Sequence, residues 1–169
     1  MSIFLINEQA TLEFGHLLAE HIHSGMNLFL HGDLGAGKTT LVRGLVQYFL
    51  PAAKVKSPTY TLVEDYELTD FAQNISLQRV HHFDLYRLSD PEELEYLGGR
   101  DYFSGDALCL VEWPERGEGW LPQADLEITL QYQANGRAVI FESHSQKGKA
   151  LLNELPKSFN SQKEGESEA

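Results

Sequence analysis

Residues 29–44 read FLHGDLGAGKTTLVRG, and no other stretch limits the possible folds of this chain so strongly. Gly32, four residues and then Gly37-Lys38-Thr39 fit the phosphate-binding pattern G-x-x-x-x-G-K-[ST]. Such a loop works between a strand and a helix, whose N-terminal amides and positive end face the anion. Both flanks comply. Asn27 to His31 reads as a strand, and Leu41, Val42, Leu45, Val46 and Phe49 form the apolar stripe of a helix that starts near Lys38 and ends at Pro51. Gly32 and Gly35 permit backbone angles closed to other residues, and Gly37 allows a close approach to phosphates. The candidate nucleotide contacts are therefore Asp33, Leu34, Gly35, Ala36, Gly37, Lys38, Thr39 and Thr40. Lys38 is expected to reach the β and γ phosphates, and the Thr39 hydroxyl to ligate Mg2+. The loop alone leaves three outcomes open: phosphoryl transfer to a substrate, hydrolysis that drives a conformational change, or mere occupancy.

The chain of 169 residues is expected to form one domain over residues 1–157, burying roughly 70% of the surface its unfolded form exposes. Residues 158–169 are almost devoid of apolar side chains and are expected to be a disordered tail. The N-terminus MSIFLINEQATLEF lacks the pattern of a secretory signal, no apolar run approaches membrane-spanning length, and Cys109 is the only cysteine. A cytoplasmic location without membrane contact is expected. Formal charge is −12, and because residues 145–169 are neutral, all of it falls on residues 1–144. A surface of that sign repels nucleic acid, so autonomous tight binding of RNA is not expected.

The rest of the chain supplies alternating strands and helices. Asn7 caps a helix expected over 8–23, with Phe14, Leu17, Leu18 and Ile22 on one face. TYTLVEDYEL (59–68) and LQRVHHFD (77–84) read as an antiparallel pair, and Pro91 to Leu97 as a short helix. ALCLV (107–111) has the continuous apolar character of a strand covered on both faces. Asp125 to Gln133 alternates, with Leu126, Ile128, Leu130 and Tyr132 on one side; Asn135-Gly136 reads as a hairpin turn, and 147–155 as a last helix. The fold class expected is α/β: a three-layer P-loop NTPase-like fold with a mixed, mainly parallel sheet and a C-terminal β-hairpin.

Phosphoryl chemistry also needs an acid for the metal or the attacking water. Glu112 closes the most apolar strand and Asp84 closes RVHHFD, so both are candidates for the sheet edge that carries the loop. Ser57, Thr59 and Thr61 fall where nucleotide switches place a hydroxyl that senses the γ phosphate, although a turn followed by β-favouring threonines explains them equally well. The histidines show no metal-ligand spacing, since His21 and His23 lie on different helix faces and His81 and His82 on opposite strand faces. Cys109 reads as a small core residue. The strings Asn-Lys-x-Asp and Asp-x-x-Gly of guanine-specific switches are absent, and the arginines are too scattered to suggest a kinase lid. No arginine finger or water-positioning glutamine is evident, so hydrolysis by this chain alone is expected to be slow.

GDLGAGKTT (32–40), KSPTYTLVE (56–64), HFDLYRLSDPEELE (82–95), RDYF (100–103) and CLVEWPE (109–115) occur in an order that resembles the bacterial TsaE (YjeE) family through roughly residues 7–145. The resemblance implies a Mg2+-dependent ATPase, stimulated by partner proteins, that acts on TsaD and TsaB. That pair transfers a threonylcarbamoyl group to the adenosine beside the anticodon in tRNAs reading codons that begin with A. This chain would reset the complex between turnovers, with tRNA contacted mainly through the partners. By motif, Lys38, Asp84 and Glu112 would be catalytic, Thr39 and Glu112 metal ligands, and Thr11 a contact to the adenine of ATP. A small-molecule kinase using the same loop is the alternative, and a nucleotide-occupied scaffold a third.

Overall fold

A computed structural model describes residues 1–68 and 76–159. Its sheet runs β1 (Ser2–Leu5), β7 (Gly136–Ser143), β6 (Leu126–Gln133), β2 (Asn27–His31), β5 (Leu108–Glu112), β4 (Arg79–Asp84), β3 (Val63–Glu67) in spatial order. The central strands β6, β2, β5 and β4 are parallel, while β3 and β7 run against their neighbours. The expected mixed, mainly parallel sheet with a C-terminal hairpin is present.

The two faces of the sheet are covered unequally. Helices α1 (Glu8–Glu20), α2 (Lys38–Phe49) and α5 (Gln146–Glu154) share one cluster with Leu28, Leu30, Leu108, Leu110 and Ile128. The other face, with Phe29, Phe83, Cys109 and Val111, is covered by the short helices α3 (Glu93–Tyr96) and α4 (Gly99–Phe103) and by loop residues Trp113 and Leu121. Burial pushes the Cys109 thiol up to about 12, which fits a core residue.

Contact between α1 and α2 runs backbone to backbone through two glycines. A Cβ at Gly15 would lie 2.5 Å from the Leu41 carbonyl oxygen, and one at Gly44 would collide with the Leu12 carbonyl. Gly44→Ala is expected to lower stability by about 1–3 kcal/mol, whereas Gly105→Ala, with nothing within 4 Å of the added carbon, serves as a control. Equal urea midpoints for the two variants would show that the helices separate without cost.

Several boundaries differ from the sequence reading. Helix α1 stops at Glu20, since the His21 amide bonds back only three residues to Leu18 O and the Ile22 amide to Ala19 O. Strand β3 begins only at Val63, because 57–62 form a loop closed by Leu62 N–H to Pro58 O. The β6–β7 turn is Ala134-Asn135, with Ala134 at φ 41°, and Gly136 is already in β7. Gly136 is needed for packing, since a Cβ there would meet the Leu5 carbonyl. Strand β1 and helix α4 are absent from the sequence reading. Apart from Ser158 and Phe159, the expected tail lies outside the described residues, and the Phe159 ring packs edge-on to Phe14 at 5.4 Å.

Candidate active site

Parallel register builds the acidic side of the site. Val80 pairs with Leu108, His82 with Leu110 and Asp84 with Glu112, so both carboxylates stand side by side at the C-terminal edge. Period-two alternation puts them on the α2 face with Val80 and Leu110. Glu112 also pairs with Leu30, one residue before the end of the strand that feeds the loop. Both acids are buried, at 2% exposure for Glu112 and 3% for Asp84.

Thr39, in the first turn of α2, donates its hydroxyl to Glu112 Oε1 at 2.9 Å, with Oε2 at 3.2 Å. Asp84 Oδ2 accepts from the Ser57 hydroxyl and, at 3.4 Å, from that of Thr59, while Oδ1 accepts the Tyr86 amide at 3.0 Å. The 57–62 loop is thereby tied to the end of β4 by two hydroxyls.

The phosphate loop turns through Gly35 at φ 78° and Gly37 at φ 108°, both in the left-handed region. Lys38 folds back under it, donating to the carbonyls of Gly32 at 2.5 Å and Asp33 at 3.0 Å, with its ammonium 4.2 Å from the Trp113 ring centre. Burial lowers the Lys38 pKa, opposed by the negative charges of Glu112, Asp84, Glu115 and Asp33. From behind, Arg137 Nε donates to Ala36 O at 2.8 Å and the Tyr132 hydroxyl to Leu34 O at 3.4 Å, while the guanidinium lies 4.9 Å from the Tyr132 ring.

These groups enclose a cavity of about 320 Å³ lined by Leu34, Gly35, Gly37, Lys38, Thr39, Thr40, Ser57, Thr59, Asp84, Tyr86, Glu112 and Trp113. The remaining expected site residues do not line it. Thr11 is buried in α1 with its hydroxyl given to Asn7 O at 3.2 Å, and Ala36 is buried behind the loop. Asp33 is exposed, and Thr61 lines a separate cleft with Lys56 and Tyr66. One hydroxyl and two carboxylates converge near the loop helix, an all-oxygen donor set suited to a hard divalent cation.

The family model for "Threonylcarbamoyl adenosine biosynthesis protein TsaE" matches residues 5–139. The chain belongs to the TsaE family. It is 44% identical over 154 residues to the TsaE protein of Haemophilus influenzae, covering 88% of this chain and 93% of that one. The TsaE protein of Bacillus subtilis is 34% identical over 156 residues, covering 92% and 93% of the two chains. The crystal structure of Bacillus subtilis YdiB superposes with a TM-score of 0.73 at 29% identity, over 91% of this chain and 92% of that one. Membership of the TsaE family places this chain in tRNA threonylcarbamoyladenosine biosynthesis. Among its described residues no helix is long and apolar enough to cross a membrane.

In this TsaE-family chain three site residues escape the sequence reading. Tyr132 continues the alternation of β6 but is 56% exposed, since it lies beyond the core and against the loop. Arg137 looks like one scattered arginine until the hairpin returns it under Ala36. His82 is fully buried with Nε2 2.8 Å from Glu112 Oε1, and its place two residues before Asp84 is the signal the sequence offers. The reading of the histidines as free of metal-ligand grouping also needs correction at His144. Its ring lies with Glu127 and Glu142, ligand atoms within 4.8 Å of one another, because those glutamates pair across β6 and β7 at a distance in sequence that hides them.

Proposed function

We propose that this chain is a Mg2+-dependent ATPase that serves threonylcarbamoyl modification of tRNA by acting on the TsaD–TsaB pair. The observation that carries this reading is the contact between Thr39 and the buried Glu112, with Asp84 paired beside it. A hydroxyl and a carboxylate so placed match the ligands that phosphate-loop enzymes use for the metal of a bound nucleotide. Thr39 and Glu112 would hold Mg2+, which when bound neutralises charge developing on the transferred phosphoryl group.

The protein's own groups divide the remaining work. Lys38 exchanges its two carbonyl partners for β and γ phosphate oxygens, and the amides of the loop and first helical turn complete the cradle. Asp84 acts as general base: as the bond from water oxygen to the γ phosphorus forms and the bond to the β-phosphate oxygen breaks, its carboxylate takes the water proton. Ser57 and Thr59, bonded to the same carboxylate, couple the 57–62 loop to the state of the γ phosphate. With a formal charge of −12 on the chain, tRNA is held by the partners.

Phosphate release from ATP is expected to rise when TsaD and TsaB are added together, and Lys38→Ala to abolish the rise. The reading fails if the pair has no effect, or if a small metabolite becomes phosphorylated in place of ATP hydrolysis.

A further inference from the structure

We infer that His82 is a positioning residue for Glu112: its Nε2–H fixes one carboxylate oxygen so that Glu112 stays aimed at the metal position beside Thr39. The inference rests on the Mg2+-ATPase reading of the same site and adds a residue to it.

Burial and hydrogen bonding together set the tautomer. His82 has no exposed surface, its Nε2 lies 2.8 Å from Glu112 Oε1, and its buried Nδ1 has no partner. A proton on Nδ1 would be a buried donor without an acceptor, and a bare Nε2 would set a lone pair against a carboxylate oxygen. The neutral ring with hydrogen on Nε2 avoids both costs, and in that form it donates to Glu112.

Thr39 is the second donor to the same carboxylate, at 2.9 Å to Oε1 and 3.2 Å to Oε2. Oε1 therefore receives two donors and Oε2 a longer contact from one. If the Thr39 hydroxyl turns to a cation, the histidine becomes the remaining protein donor shown on Glu112, and it alone keeps the carboxylate from rotating about its terminal torsion. His82 can hold that oxygen in place because its ring is enclosed and sits on β4, next to the strand that carries Glu112. The arrangement is a carboxylate oriented from behind by an imidazole, a partner whose loss typically costs about 10–100-fold in metal affinity or activity.

Two substitutions separate the hydrogen bond from packing. His82→Leu fills the space without a donor, and His82→Gln places an amide N–H near the Nε2 position. The full chain is titrated with Mg2+ at saturating ATP in the presence of TsaD and TsaB, and ATP affinity is measured without metal. His82→Leu is expected to raise the Mg2+ half-saturation roughly 10–100-fold with metal-free ATP affinity unchanged, and His82→Gln to restore most of the loss. Unchanged Mg2+ half-saturation in His82→Leu overturns the proposal, as does a glutamine variant that is folded but equally impaired. Should the leucine variant not fold, His82→Asn, too short to reach Glu112, takes its place in the comparison. Glu112→Gln measured alongside separates the two readings. If it leaves Mg2+ half-saturation unchanged, the metal role of Glu112 itself falls; if it alone raises it, only the role of His82 falls.

Discussion

Asp84→Asn is expected to lower ATP hydrolysis in the presence of TsaD and TsaB by about 10²–10⁴-fold while leaving ATP affinity nearly unchanged. Asparagine retains an oxygen for the Tyr86 amide and an atom of similar size against Ser57, so the loop that depends on those contacts keeps its anchor. What it loses is the ability to take a proton. The two effects divide cleanly between single-turnover hydrolysis and equilibrium nucleotide binding. Full hydrolysis in Asp84→Asn would remove the general-base role, and intact tRNA modification in both Asp84→Ala and Glu112→Ala would leave only a nucleotide-occupied scaffold.

Lys38→Met is expected to cost about 10²–10³-fold in turnover, together with a loss of ATP affinity, because no other cation lines the cavity among the described residues. Its effect on the empty protein has a different sign with pH. Burial lowers the Lys38 pKa from 10.5, so between the lowered value and 10.5 the unfolded chain binds more protons at this site than the folded one. Stability due to Lys38 therefore rises with pH through that window, and the cost of burying the charge is fully present below it. Urea midpoints of the wild type and Lys38→Met, compared as pH is raised toward 10.5, should show the wild type gaining relative to the variant. A constant difference would mean that the ammonium is not penalised by its site.

Much of this architecture is legible because it is written locally. The strand, loop and helix around Gly37, and the apolar run ending in Glu112, carry their own periodicity, and both acids stand at strand ends that composition marks. Strand β1 is not legible, since four residues, Ser2–Leu5, have too short an alternation to register and gain their place only by pairing with β7. The same holds for Arg137 and Tyr132, whose role depends on where a hairpin returns. His82 shows a third kind of miss. Opposite faces for His81 and His82 exclude a metal shared between them, but say nothing of the neighbouring strand's carboxylate that His82 meets. Thr11 shows the reverse, a family expectation whose hydroxyl is already committed to Asn7 O.

The in-register pairing of Asp84 with Glu112 has a consequence for how damage to this protein would show itself. Side chains alternate across a sheet, so a slip of β4 by one residue would send Asp84 to the opposite face and leave Phe83 or Leu85 beside Glu112. There is no intermediate alignment. Misassembly at this ladder is binary, and a weakened sheet would yield fewer competent molecules, each turning over at the normal speed. Counting active sites in such a preparation, by a burst of product from one bound nucleotide per chain, would reveal what a bulk rate measurement reports only as a slower enzyme.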